Sequence, residues 1–152
     1  MKEIAITEIK QIKIGNAQNE KAATGLTVLL CEGGAVCGVD IRGGGPASRE
    51  TPLLDPLAAA ERIHAVVLSG GSAFGLDAAG GVMQYLEERG IGFDTGIAKV
   101  PLVCQSCIFD LGVGDKTVRP TQEMAYAACE NAQNSSFRPG NHGAGTGATV
   151  GK

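Results

Sequence analysis

Apolar positions change their spacing several times along the chain. From Ile6 to Gly15, "ITEIKQIKIG" sets aliphatic residues at 9, 12 and 14 among polar ones, which predicts an irregular strand. "GLTVLLC" and "AVCGVDIRG" are runs rich in β-branched residues on either side of "EGG", Glu32 to Gly34. Glycine reaches positive φ at a turn without strain, so the pattern predicts a β-hairpin reversing there. Arg42 to Pro52, "RGGGPASRETP", reads as a loop, because three glycines and a proline do not sustain a ladder. Asp55 followed by Pro56 supplies an N-cap with proline at the first helical position, predicting a short helix over "DPLAAAERIH".

"AVVLSGG" predicts a short buried strand running into a turn. Ser72 then stands where it would cap a helix over "SAFGLDAAGGVMQYLEERG", with Leu76, Ala79, Met83 and Leu86 on one face and Gly90 as the stop. "KVPLVCQSCIFDLGVGD" reads as strand and loop, and "TQEMAYAACENAQ", after Pro120, as a second amphipathic helix. The chain then closes on "PGNHGAGTGATVGK". Paired strands interleaved with helices give a mixed α/β fold, and the early hairpin excludes a purely parallel sheet.

Composition narrows the possibilities. With 152 residues the chain is one domain or part of one, long enough to bury a core. A net charge of −3 provides no basic field for nucleic acid. No apolar run approaches the roughly 20 residues that span a bilayer, and "MKEIAITEIK" alternates charges with aliphatics unlike a signal peptide. Five cysteines cannot all pair, which points to a reducing, cytoplasmic setting. Glycine contributes 23 residues without a period, as expected for tight turns and close backbone contacts rather than collagen.

The glycine-rich stretches invite chemical readings. A Walker A loop fails at the end of the chain: Thr146 stands where its first glycine is needed, and no Ser or Thr follows Lys152. "GAGTGA", Gly143 to Ala148, matches the looser dinucleotide spelling but lacks the strand–turn–helix setting and the later acidic residue. "SGGSAFG" is one residue short of a nucleophile elbow, with Phe74 where glycine is required. Its plain reading is a strand-to-helix connection, and the alternative is that its N–H groups hold an anion or a substrate carbonyl. "CQSC", Cys104 to Cys107, has redox and zinc spacing, but no second ligand pair accompanies it and its flanks are apolar, so buried free thiols are expected. His142 reads as an ordinary loop residue, and no metal or other cofactor is implied.

Several of these segments, in this order, carry a resemblance. "RGGGPASRETPLLDP", "HAVVLSGGSAFGLDAAGGVMQYLEERGIGFD", "GVGD", "VRP" and above all "GAGTGATVGK" resemble the L-aminopeptidase D-amidase/D-esterase family, which includes the β-aminopeptidyl peptidases. Its members are self-processing N-terminal-nucleophile hydrolases, and the resemblance runs from about Ile9 to Lys152. It implies an α/β fold, a four-layer α-β-β-α sandwich, of which residues 1–152 form a single incomplete domain, the N-terminal part of the α subunit. It also implies a longer precursor that cuts its own backbone further on and frees a Ser or Thr. The new α-amino group of that residue then serves as its own base.

No catalytic residue is therefore expected in this chain. A substrate-contact tyrosine of some members falls near "CQSCIFDL", where this sequence has none. Gly70, Gly71 and Ser72 are the expected substrate-binding residues, and Gly143, Gly145, Thr146 and Gly147 an expected structural segment lying extended against the core. The expected partners are the C-terminal segment of the same precursor (the β subunit), further copies in a homo-oligomer, and a small peptide or amide substrate. The competing expectation is a non-catalytic remnant of the fold that binds a small molecule or oligomerises.

Overall fold

The computed structural model describes residues 3–134 and 136–151. In chain order the regular elements are β1 (Lys13–Asn19), β2 (Thr24–Ala35), β3 (Ser48–Arg49), β4 (Ile63–Ser69), α1 (Ala79–Glu87), β5 (Phe93–Asp94), β6 (Lys99–Val100), β7 (Val103–Cys107) and α2 (Gln122–Gln133). Short 3-10 segments occur at Ile6–Glu8, Thr51–Leu54, Ser72–Ala78 and Gly143–Gly145. One sheet has the order β1-β2-β4-β7-β3, with β4 and β7 parallel and the other neighbours antiparallel; β5 and β6 form a separate ribbon. The mixed sheet expected from the sequence is present.

The hairpin lies elsewhere than expected. β1 pairs with β2 from Lys13 opposite Leu30 to Asn19 opposite Thr24, and the chain reverses over residues 20–23, where Ala23 has φ +52°. Glu32–Gly34 does not reverse the chain. Gly34 does take φ +76°, but it serves an irregularity in the β2–β4 ladder between Leu30 and Ala35, after which Ala35 still pairs with Ile63. The strand expected from Ile6 starts only at Lys13, and residues 36–47 carry no regular element.

The helix expected at Asp55 is also absent. The Asp55 carboxylate accepts from the Leu57 amide at 2.8 Å, a local turn that competes with helix, and the regular turn falls before it, over Thr51–Leu54.

Alternation along the strands sorts the sheet into two faces. Leu26, Val28 and Leu30 on β2, Ala65 and Val67 on β4 and Val103 on β7 join Val82, Tyr85 and Leu86 of α1 and Ala125, Ala128, Cys129 and Ala132 of α2 in one core. Both helices thus cover the same face. They meet closely at Gly81, where a Cβ would overlap the Gln122 carbonyl. Gly90 ends α1 as expected, at φ +64°, with Ile91 N donating to Leu86 O at 3.0 Å. Thr121 caps α2, its hydroxyl accepting from Met124 N at 3.2 Å.

The opposite face follows the other parity. Leu29, Val66 and Cys104 lie in one row, and Thr27, Leu68, Ser106 and Ser48 in the next. The Gly143–Gly145 turn rests on its β1–β2 end, with Ala144 N donating to Thr27 Oγ1 at 3.2 Å and Gly143 N to Gln18 Oε1 at 2.9 Å. Toward β4 the face opens, and Leu68 is 42% exposed.

Candidate functional site

β4 and β7 run parallel, so their C-terminal ends lie at one edge of the sheet, together with the start of antiparallel β2. Connections leaving strand ends gather there, as they do where α/β folds place ligands. β4 ends at Ser69, and the chain turns through Gly70 and Gly71 into the 3-10 segment at Ser72. Gly71 has φ +83° and Ser72 φ +52°, two successive left-handed residues. The second is not glycine and is therefore strained.

The amides of this turn are already engaged. Gly70 N donates to Gly25 O at 2.9 Å, Gly71 N to Asp110 Oδ1 at 2.7 Å and Ser72 N to Ile108 O at 3.0 Å. The expectation that Gly70 and Gly71 present free N–H groups is thus not met: both residues are buried, and their donors bond within the chain. Nor does Ser72 cap the helix. Gly71 occupies the cap position, no side-chain cap bond forms, and the hydroxyl of the half-buried Ser72 makes no hydrogen bond among the described residues.

Three residues that sequence reasoning passed over hold the turn. Asp110 is 3% exposed; besides Gly71 N it accepts from Thr24 Oγ1 at 2.7 Å, and no cation pairs with it among the described residues. Gln105 is 2% exposed and ties the two ends of the turn, its Nε2 donating to Ser69 Oγ at 2.9 Å and to Gly75 O at 2.7 Å. Its Oε1 is buried without a partner. A carboxylate inside "CIFDL" and an amide inside "LVCQSC" were the signals available: polar side chains in apolar runs are buried only with partners or at a cost.

The glycine tail joins the same edge. A Cβ on Gly147 would overlap the Ala23 carbonyl and stand 2.9 Å from Asp110 Cβ, and one on Gly70 would overlap the Asp110 carboxylate. Gly143 approaches Thr27 and Asn16 in the same way, and Gly145 the Gly140 carbonyl. Thr146 closes the turn by donating from its hydroxyl to Gly143 O at 2.8 Å. The tail is therefore closely packed, and it is coiled in a 3-10 turn at Gly143–Gly145 rather than extended. Close approach needs missing side chains, and a helical turn provides that approach as well as a strand does.

The cysteines are free. Cys104 and Cys107 stand three residues apart on a strand, an odd separation that puts them on opposite faces, so they form no dithiol. Burial pushes the Cys104 thiol up to about 11 and the Cys129 thiol up to about 12. Cys107 is raised as well, chiefly by burial, although its Sγ lies 3.0 Å from Ser69 Oγ. Such thiols are poor nucleophiles. His142 Nδ1 lies 3.3 Å from Gln18 Nε2 in the packing of the tail. Among the described residues no group of three His, Cys, Asp or Glu could hold a metal ion, and no helix is long and apolar enough to cross a membrane.

The fold as a whole has counterparts among solved structures. The L-aminopeptidase D-Ala-esterase/amidase of Ochrobactrum anthropi, a variant of the N-terminal-nucleophile hydrolase fold, superposes with a TM-score of 0.71 at 17% identity, over 95% of this chain and 44% of its own. The PH0078 protein of Pyrococcus horikoshii gives 0.73 at 23% identity, over 95% and 44%. The fold is thus that of part of an N-terminal-nucleophile aminopeptidase. The sequence agrees: peptidase family S58 matches residues 5–152, and the chain belongs to that family. It is 43% identical to an uncharacterised aminopeptidase of Mycobacterium leprae over 97% of this chain, and 34% identical to a 6-aminohexanoate-oligomer endohydrolase of a Kocuria species over 93%. The chain spans 45% of the first relative's length and 37% of the second's.

Proposed function

We propose that this chain is the N-terminal part of a self-processing aminopeptidase or amidohydrolase that removes N-terminal residues from short peptides or amides. The observation that carries the reading is the sheet's second face. Leu29, Val66 and Leu68 are apolar positions on it, the helices cover only the other side, and Leu68 stands open. A second sheet, supplied by the C-terminal segment of the same precursor, would complete the four-layer sandwich and bring a Ser or Thr nucleophile to the strand-end edge. Ser72 lines the substrate pocket in this reading. Gly70 and Gly71 lie behind it, where their missing side chains make room for Asp110.

The protein purified from its native source tests this directly. Intact mass and N-terminal sequencing should show this chain's sequence accompanied by a second chain that begins with Ser or Thr, and the pair should hydrolyse amino-acid p-nitroanilides. A single unaccompanied species of 152 residues that leaves those amides intact would favour a non-catalytic remnant.

A further inference from the structure

We infer that Asp110 is a positioning residue for the amide-cleaving reaction: it holds Gly71 and Ser72 in their left-handed pair and thereby aims the Ser72 hydroxyl at the substrate. This rests on the aminopeptidase reading above. A carboxylate that is 3% exposed with no cation beside it among the described residues is an expensive way to fasten a loop. Its two oxygens are each committed, one to the turn through Gly71 N and one to β2 through Thr24 Oγ1. Gly70 and Gly147 leave the space it fills, since a Cβ on Gly70 would overlap the carboxylate and one on Gly147 would stand 2.9 Å from Asp110 Cβ. What this brace fixes is a strained, half-buried serine at φ +52° whose hydroxyl makes no hydrogen bond among the described residues. Strain of this kind persists only where its surroundings over-determine it. Asp110 supplies that constraint from one side, and Gln105, bridging Ser69 and Gly75, from the other.

The test uses the full-length protein and two readouts. In Asp110→Ala, hydrogen exchange at the amides of residues 70–75 should quicken, and KM for an amino-acid amide should rise on the order of tenfold, the worth of about one hydrogen bond, with kcat nearly unchanged. Asp110→Asn retains an acceptor for Gly71 N and should restore most of the loss. Ser72→Ala should raise KM similarly, and the double variant with Asp110→Ala should be no worse than Asp110→Ala alone, as expected for residues acting through one another. If Asp110→Ala does not fold, Thr24→Val removes the other half of the brace and should show the same shift in smaller degree.

Unchanged KM in a folded Asp110→Ala or Thr24→Val protein would overturn the inference. So would a fall in kcat at constant KM, which would put the carboxylate in the chemistry itself. Should the wild-type protein prove inactive, the aminopeptidase reading falls, and exchange decides the brace separately: protection unchanged in Asp110→Ala refutes it.

Discussion

His64 on β4 faces the partly open side of the sheet, is 9% exposed, and accepts from Leu102 N through Nδ1 at 3.1 Å. Burial lowers its pKa below the usual 6.5. The unfolded chain therefore takes up its proton first as pH falls, and stability is lost progressively below about pH 6.5. Thermal melts should show that loss between neutral and mildly acidic pH, and His64→Asn should flatten it; an unaltered slope would assign the acid sensitivity to other groups. At the same scale, Gly147→Val would press a side chain into the Ala23 carbonyl and the Asp110 brace. Overpacking of this kind costs about 1–3 kcal/mol where neighbours can shift, and here two of them are backbone and a fully bonded carboxylate. Loss of soluble, folded protein is the expected outcome. Unchanged expression and Tm in both Gly145→Val and Gly147→Val would show that the tail is only a linker.

Among the elements, α1 and α2 offer a contest of magnitudes. Gly81 lies within α1, where alanine is intrinsically better by about 1 kcal/mol. Yet a Cβ there would overlap the Gln122 carbonyl at the start of α2. Separating two helices that share Val82, Tyr85, Ala125 and Cys129 in one core outweighs the propensity gain. Gly81→Ala should therefore lower Tm, whereas Gly90→Ala, at φ +64° in open space, should lower it only by the strain of a left-handed alanine, about 1 kcal/mol. The cysteines give a prediction of the same scale. Because Cys104 and Cys107 face opposite sides of β7, a reductant should leave Tm unchanged, and alkylation of the folded chain should spare Cys129, buried and pushed up to about 12.

For the whole molecule, the decisive feature is the sheet face that α1 and α2 leave uncovered. Covering the exposed Leu68 and the half-buried Leu29 and Val66 with a partner surface would add stability at about 25 cal/mol per Å² of apolar area buried. Sedimentation of this chain by itself should show association, and the full-length protein should bury Leu68. A dilute monomer that unfolds cooperatively would contradict this and leave the open face without a partner.

The sequence by itself determined the parts whose signals are local. The α2 helix follows from Thr121 and a 3.6-residue apolar repeat, the end of α1 from Gly90, and the buried strand β4 from a β-branched run between turn residues. The family was legible too, because glycines at fixed spacing mark close backbone contacts that few folds share. Tertiary structure decided what depends on distant partners. The chain reverses at residues 20–23 rather than at Glu32–Gly34, because β4 pairs with β2 on both sides of an irregularity that Gly34 accommodates. Asp55 and Pro56 began a turn and no helix, since the carboxylate found a nearer amide. Asp110 reaches Thr24 across 86 positions and Gly71 across 39, separations at which no periodicity operates. A buried carboxylate is recognised by its partners, and those are assembled only when β2, β4 and β7 end at the same edge of the sheet.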